Sequence, residues 1–211
     1  MIRNPIPFDR AKRGRGRDLQ RQPDMNMHSL RFAMVALLAL GTASAPALAQ
    51  HTVQTKVGGG GSPHVVSTWE IHGANIAITY GRPYLKGRAD SVLMPLGKVW
   101  RTGADEATVL STDRPLTFGK IALLAGKYTI NTVPGADGWE LVFGKLGKEG
   151  QWGIPYKPEL EIGRTPMALT HDATPVDQLT ITIDPTATGG VLHVDWGTNR
   201  ASAAFNVAPK P

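Results

Sequence analysis

Short runs in which every second residue is apolar recur along the chain after residue 64. Ile76, Ile78 and Tyr80 alternate with small or polar residues, and Leu192 and Val194 alternate with charged or polar ones. A period of two residues is that of a strand with one buried face. The pattern predicts strands near residues 65–71, 75–81, 107–112, 127–133, 139–143, 178–184, 191–197 and 201–207.

Glycine, proline and asparagine separate these runs. Residues 134–138 (PGADG) lie between two of the predicted strands, which is typical of a hairpin, and residues 197–199 lie between the last two. After residue 50 we find no convincing helical period of 3.6 residues over more than ten positions. The expected fold is all-β: an antiparallel β-sandwich, or a jelly-roll or barrel-like variant, of eight or nine short strands.

The part of the chain before these strands differs in composition. Residues 32–40 form an apolar run that follows Arg31 and precedes Ala47-Leu48-Ala49, the three parts of a secretory signal. This run is too short to span a bilayer, which needs about 20 residues. We expect residues 1–49 to be a signal peptide with an N-terminal extension, the glycine-rich residues 50–63 to be a flexible linker, and residues 64–207 to be a single β domain. The domain is then exported, to the periplasm or the medium.

Most of the excess positive charge lies in the expected leader. Eight of the 23 Lys and Arg residues and three of the 17 Asp and Glu residues precede Ala49, so the remainder is nearly neutral. This balance argues against a nucleic-acid partner and against a polybasic membrane patch. The chain has no cysteine, which excludes disulfides and thiolate metal sites. We expect no metal and no cofactor.

The strand pattern stops in the segment 81–108, where charged, aromatic and small residues are concentrated. Guanidinium groups suit the recognition of carboxylates or phosphates, an indole ring can stack on a sugar, and paired carboxylates serve acid–base chemistry. The expected ligand is therefore a small anion or a carbohydrate. The candidate ligand-binding residues are Arg82, Arg88, Trp100, Arg101, Asp105 and Glu106.

Three interpretations of this segment stay open. In the first, Arg101 and Glu106 form a structural ion pair and Trp100 fills the core; in the second, the segment binds a ligand. In the third, the protein is a hydrolase or lyase that uses Glu106 with Arg101. The favoured interpretation is a non-catalytic binding or structural domain, and enzyme activity is left undecided.

A second set of polar residues lies near the C-terminus. His193 and Asp195 share one face of a predicted strand and could act as a base and its orienting group, although polar residues are ordinary on an exposed face. Ser202 lacks the surrounding G-x-S-x-G sequence of a nucleophile elbow.

Several strings of residues are characteristic enough to suggest a family. They are YGRPYLKGR, GKVWRTGADEAT, LLAGKYTINTVPG, GWELVF and QWG, and in this order they resemble the bacterial secreted domain-of-unknown-function family 2911 over roughly residues 62–207. The resemblance implies a secreted single β domain and brings no established reaction. The family usually has Asn where this chain has Asp105, so a role that needs an amide at this position is not carried over.

The signal pattern predicts cleavage between Ala49 and Gln50. N-terminal sequencing of the exported protein should find Gln50 as the first residue, because Ala-Leu-Ala provides the small residues that the cleavage site requires. Recovery of the intact apolar segment in a membrane fraction would contradict the prediction.

Overall fold

The computed structural model describes residues 50–147 and 156–209, which consist mainly of strands. The expected leader, residues 1–49, lies outside these residues. The strands are β1 (His51–Val57), β2 (Pro63–Ile71), β3 (Ala74–Gly81), β4 (Ala104–Thr112), β5 (Leu116–Phe118), β6 (Ile121–Leu123), β7 (Gly126–Val133), β8 (Trp139–Lys145), β9 (Glu161–Pro185) and β10 (Gly189–Val207). A single helical turn, α1 (Asp90–Leu93), and a 3₁₀ turn (Pro158–Leu160) are the helical elements of these residues.

The strands form one antiparallel sheet in the order β1-β2-β3-β4-β7-β8-β9-β10-β5-β6. The all-β, antiparallel prediction is therefore confirmed, including the β7–β8 hairpin, in which Val133 pairs with Glu140. The sandwich or barrel-like arrangement stays a prediction. In the described part of the chain, no helix is long and apolar enough to cross a membrane.

The expected flexible linker is the main correction to the predicted elements. Residues 51–57 form β1, which pairs with β2, and the glycine run is the turn between them. Gly58 N donates to Ser62 O and Gly61 N donates to Gly58 O, both at 2.9 Å. Every residue of β1 is exposed, so no buried face produces an apolar period, and the backbone ladder with β2 stabilises the strand instead.

The β10 segment reverses direction near Gly197, whose φ is 61°. Val207 N donates to Thr188 O at 3.0 Å, and His193 Nδ1 lies 2.8 Å from Ser202 Oγ. The residues of each contact lie equally far on either side of the Gly197–Thr198 bond. The chain therefore folds back there, and the two halves of β10 run antiparallel. The strands predicted at 191–197 and 201–207 are these two halves, and the predicted turn at 197–199 is their tip.

The core is formed by the alternating apolar residues that defined the strands. Leu192, Val194 and Trp196 are at most 1% exposed, as the shared face of their predicted strand required. The Trp196 ring stacks on Trp100, with ring centroids 5.1 Å apart and planes 3° from parallel. Its Nε1 donates to Asp177 O at 3.2 Å.

Replacement of Trp196 by alanine should lower the free energy of unfolding by roughly 3–5 kcal/mol, the usual cost of truncating a buried aromatic residue. Leu124→Ala is the matched control, because Leu124 is 71% exposed. Denaturant titration of both variants measures the difference. Equal unfolding midpoints for Trp196→Ala and the wild type would refute the packing described above.

Candidate functional site

Four residues line up across neighbouring strands at one end of β1 to β4. Lys56 pairs with His64 across β1 and β2, His64 pairs with Gly81 across β2 and β3, and Gly81 pairs with Ala104 across β3 and β4. The register shifts beside this row in two of the three pairings. Such irregularities redirect side chains and are frequent near functional sites. The row brings His64 next to the start of β4.

The imidazole of His64 lies between the carboxylates of Asp105 and Glu106. Its Nε2 is 2.8 Å from Asp105 Oδ2, and its Nδ1 is 3.1 Å from Glu106 Oε2. The side chains of His64, Asp105 and Glu106 are 5%, 15% and 20% exposed. Lys56 Nζ forms an ion pair with Glu106 Oε1. We call Lys56, His64, Asp105 and Glu106 the His64 cluster.

The surroundings of Glu106 favour its charged form. Burial acts to raise its pKa, but the hydrogen bond from Lys56, a backbone hydrogen bond and the attraction of His64 and Lys56 together outweigh burial and hold the pKa below its usual value. The oxygen Oε2 is buried and has no hydrogen-bond partner, although His64 Nδ1 lies nearby. A buried acceptor without a donor is destabilising. A hydrogen-bond donor or a cation that bound this oxygen would remove that cost.

Glycines allow the backbone to approach the cluster from two sides. A Cβ on Gly81 would lie 2.4 Å from Ala104 O and 3.0 Å from His64 Cε1. A Cβ on Gly58 would lie 1.8 Å from Asp105 Oδ2 and 2.9 Å from His64 Nε2. Any larger residue would force a carboxylate, the imidazole or a strand to move, so β3 and the β1–β2 turn need glycine at these two positions.

Two residues at the entry to β4, one just before the strand and one within it, have a left-handed backbone. Thr102 has a φ of 56° and Asp105 a φ of 60°. For a β-branched residue this conformation costs about 1–3 kcal/mol, and it persists where the surroundings hold it. Thr102 is held by Thr132 Oγ1 at 3.0 Å and by Thr108 Oγ1, which donates to its carbonyl at 2.9 Å. Asp and Asn tolerate the left-handed region best, which explains a short polar side chain at position 105.

The three arginines predicted to recognise an anion all bind protein oxygen atoms. Arg82 donates to Leu179 O and Thr180 Oγ1. Arg88 donates to Leu85 O and Tyr84 O, and Arg101 donates to Gly103 O and Asp105 O. Arg88 and Arg101 thus bind backbone carbonyls of the irregular segment itself, while Arg82 ties this segment to β9.

Trp100 fills the core, as the first of the three interpretations expected. It is 7% exposed, stacks on Trp196, and meets the edge of Trp139 with ring centroids 6.4 Å apart. Its backbone exchanges two hydrogen bonds with Thr132. At 7% exposure the residue has little free surface for stacking on a sugar.

The hypothesised ion pair between Arg101 and Glu106 is replaced by other contacts. Glu106 contacts Lys56 and His64, while Arg101 contacts backbone carbonyls. The chain does turn sharply between the two residues, but the left-handed residues direct their side chains to different partners. Of the six predicted site residues, Asp105 and Glu106 meet at one imidazole, and Arg82, Arg88, Trp100 and Arg101 have structural contacts elsewhere.

His193 and Asp195 share a face, as predicted, and the reversal of β10 adds partners to them. His193 Nδ1 is 2.8 Å from Ser202 Oγ, His193 Nε2 is 3.2 Å from Asp184 Oδ2, and Arg200 lies 3.6 Å from Asp195. Burial lowers the pKa of His193 and raises that of Asp195. Arg200 Nε also donates to His193 Nδ1 at 3.4 Å, so this nitrogen is shared between two neighbours.

None of the four described pockets is lined by His64, Asp105 or Glu106. Arg101 lines two of them, one beside Tyr156 and one beside Trp100 and Trp196.

His64 and Lys56 are the site residues that the sequence analysis missed. His64 precedes Asp105 by 41 residues, and no histidine or carboxylate lies at metal-ligand spacing beside it in the chain. The only sequence signals were Gly81 and Gly103, glycines in or beside predicted strands, which indicate close approach of another backbone or side chain.

Comparison with known proteins gives one match. The family model described as "Protein of unknown function (DUF2911)" matches residues 62–205. No curated protein and no solved structure matches the chain. The matched range contains His64, Asp105 and Glu106, whereas Lys56 precedes it.

Two neighbouring glycines provide a test of the cluster. Gly58→Ala should displace the Asp105 carboxylate from His64 and lower the melting temperature, because the new Cβ would occupy its position. Gly59→Ala should leave the melting temperature unchanged, since nothing lies within 4 Å of a Cβ there. Thermal unfolding of the two variants measures the contrast, and an equal effect would contradict the close approach of the turn.

Proposed function

The chain belongs to the DUF2911 family of proteins of unknown function, and from the geometry of its His64 cluster we propose that it is an exported, non-catalytic binding domain for a cationic ligand. The observation that carries this proposal is the convergence of two largely buried carboxylates, Asp105 and Glu106, on one imidazole. The positive charge opposite them at the solvent edge belongs to Lys56, whose side chain is 54% exposed.

The two carboxylates of the His64 cluster favour a cationic ligand over the small anion or carbohydrate expected from the sequence. Two carboxylates would repel an anion at this distance. The arginines that would attract one, Arg82, Arg88 and Arg101, are occupied by protein oxygens. A cation would also satisfy the buried Oε2 of Glu106, which has no donor.

Binding has more support than catalysis by Glu106 with Arg101. An efficient general acid or base has a pKa near the working pH, whereas the pKa of Glu106 is shifted downward, away from neutrality. Arg101 does not contact Glu106 and is bound to two carbonyls. The hydrolase or lyase alternative is therefore supported by the residue types in the sequence and by no contact between Glu106 and Arg101.

The proposal of export is supported by the basic flank, the apolar run and the Ala-Leu-Ala site before Gln50. The near-neutral charge of the remaining chain and its lack of cysteine are compatible with a domain that works outside the cytoplasm by binding a small ligand.

A thermal-shift screen tests the proposed function. The wild type, Glu106→Gln and the exposed control Glu70→Gln are each heated with organic cations (putrescine, spermidine), divalent cations, phosphate and neutral sugars. A bound ligand stabilises the folded state by RT ln(1 + [L]/Kd), about 2.7 kcal/mol at 100 times Kd. We expect at least one cation to raise the melting temperature of the wild type and of Glu70→Gln, and to lose this effect in Glu106→Gln.

Two outcomes would overturn the proposal. A shift caused by phosphate or a sugar that persists in Glu106→Gln would place ligand binding elsewhere in the protein. Destabilisation of Glu106→Gln by several degrees, with no ligand effect on the wild type, would instead assign the cluster a purely structural role.

A further inference from the structure

The His64 cluster has the dimensions of a metal site. One ligand atom each from His64, Asp105 and Glu106 can be chosen so that all three lie within 4.8 Å of one another. Nitrogen and oxygen ligands of one zinc ion lie about 2.0–2.2 Å from it, so two such atoms are at most about 4.4 Å apart. Asp105 lies at Nε2 of the imidazole and Glu106 at Nδ1, so one carboxylate must move toward the ring nitrogen beside the other before both can bind a single ion.

The burial of these atoms also fits an ion. The imidazole is nearly inaccessible, and Glu106 Oε2 has no hydrogen-bond donor. Gly58 and Gly81 bring backbone close against the imidazole and Asp105, which holds these two ligands in place.

The ligand set selects the class of metal. Imidazole nitrogen suits zinc, iron, nickel and copper, while carboxylate oxygen also suits manganese. Calcium prefers six to eight oxygen ligands and magnesium an octahedral oxygen shell. One nitrogen with two carboxylates therefore favours a first-row divalent transition-metal ion.

Lys56 lies at the place through which such an ion would enter. Its ammonium group neutralises one carboxylate from β1, a strand whose residues are all exposed. An ion pair whose cation is largely exposed contributes little to stability, whereas a divalent ion would neutralise both carboxylates at once.

We propose that this chain binds a first-row divalent transition-metal ion through His64, Asp105 and Glu106, and that the ion enters by displacing the Lys56 ammonium group from Glu106. The inference rests on the proposed cation-binding function and names its ligand. Lys56 then acts as an internal competitor that sets how tightly the metal is held.

Titration calorimetry with the full chain, stripped of metal by a chelator, tests the ligand set. Zn²⁺ and Mn²⁺ are the probes, and we expect one equivalent to bind the wild type. Asp105→Asn and Glu106→Gln, each made as a single variant, should weaken binding roughly tenfold or more. Asn keeps a side chain suited to the left-handed backbone at position 105. Asp137→Asn, in the exposed β7–β8 turn, is the control and should bind as the wild type does.

Replacement of Lys56 tests whether the metal displaces the Lys56 ammonium group from Glu106. Lys56→Met should bind metal up to about fivefold more tightly, the factor that corresponds to a partly exposed ion pair, whereas the exposed control Lys120→Met should bind as the wild type does. Acetylation followed by mass spectrometry should show that metal makes Lys56 more reactive while Lys120 is unchanged.

The failures of the two proposals are distinguishable. Absence of saturable Zn²⁺ or Mn²⁺ binding, or binding that Asp105→Asn and Glu106→Gln leave intact, overturns the metal site. The cation-binding function still holds in that case if an organic cation stabilises the wild type through Glu106. Unchanged affinity in Lys56→Met together with unchanged reactivity of Lys56 overturns the exchange.

Discussion

The register of β1 to β4 is the constraint on which the site depends. Lys56, His64, Gly81 and Ala104 belong to one cross-strand row, and each pairing must be kept for the imidazole to reach the start of β4. A slip of one residue would turn every side chain of a strand to the opposite face. Because Val65, Trp69, Ile76 and Ile78 are buried in β2 and β3, the same slip would expose the core. The apolar face thus holds the polar cluster in place.

Much of the fold could be predicted because its information is local. Each strand with one buried face has a period of two residues, and β2, β3, β4, β7, β8 and both halves of β10 were found in this way. The exceptions are strands whose pattern is weak for a physical reason. β1 has no buried face, β5 and β6 have three residues each, and the first half of β9 mixes exposed and half-buried positions.

The site was only half predictable, because its remaining information is non-local. Asp105 and Glu106 stood out as charges in an irregular segment, but their partner His64 comes from a strand 41 residues earlier. The arginines were misleading for a related reason. Hydrogen bonds from Arg88 and Arg101 to carbonyl groups leave no trace in the sequence, since every residue has a carbonyl. An irregular segment needs such donors for the backbone groups that no ladder satisfies.

The order of the strands also bears on how the molecule avoids associating with copies of itself. A sheet that is not closed has two terminal strands, and unpaired backbone groups on them can recruit another chain. Here the terminal strands are β1 and β6. β1 carries Lys56 and other polar residues along its length, and β6 is only three residues long, which are two of the devices that discourage such pairing. β1 also covers β2, whose Val65, Val66 and Trp69 would otherwise form an apolar terminal strand prone to aggregation.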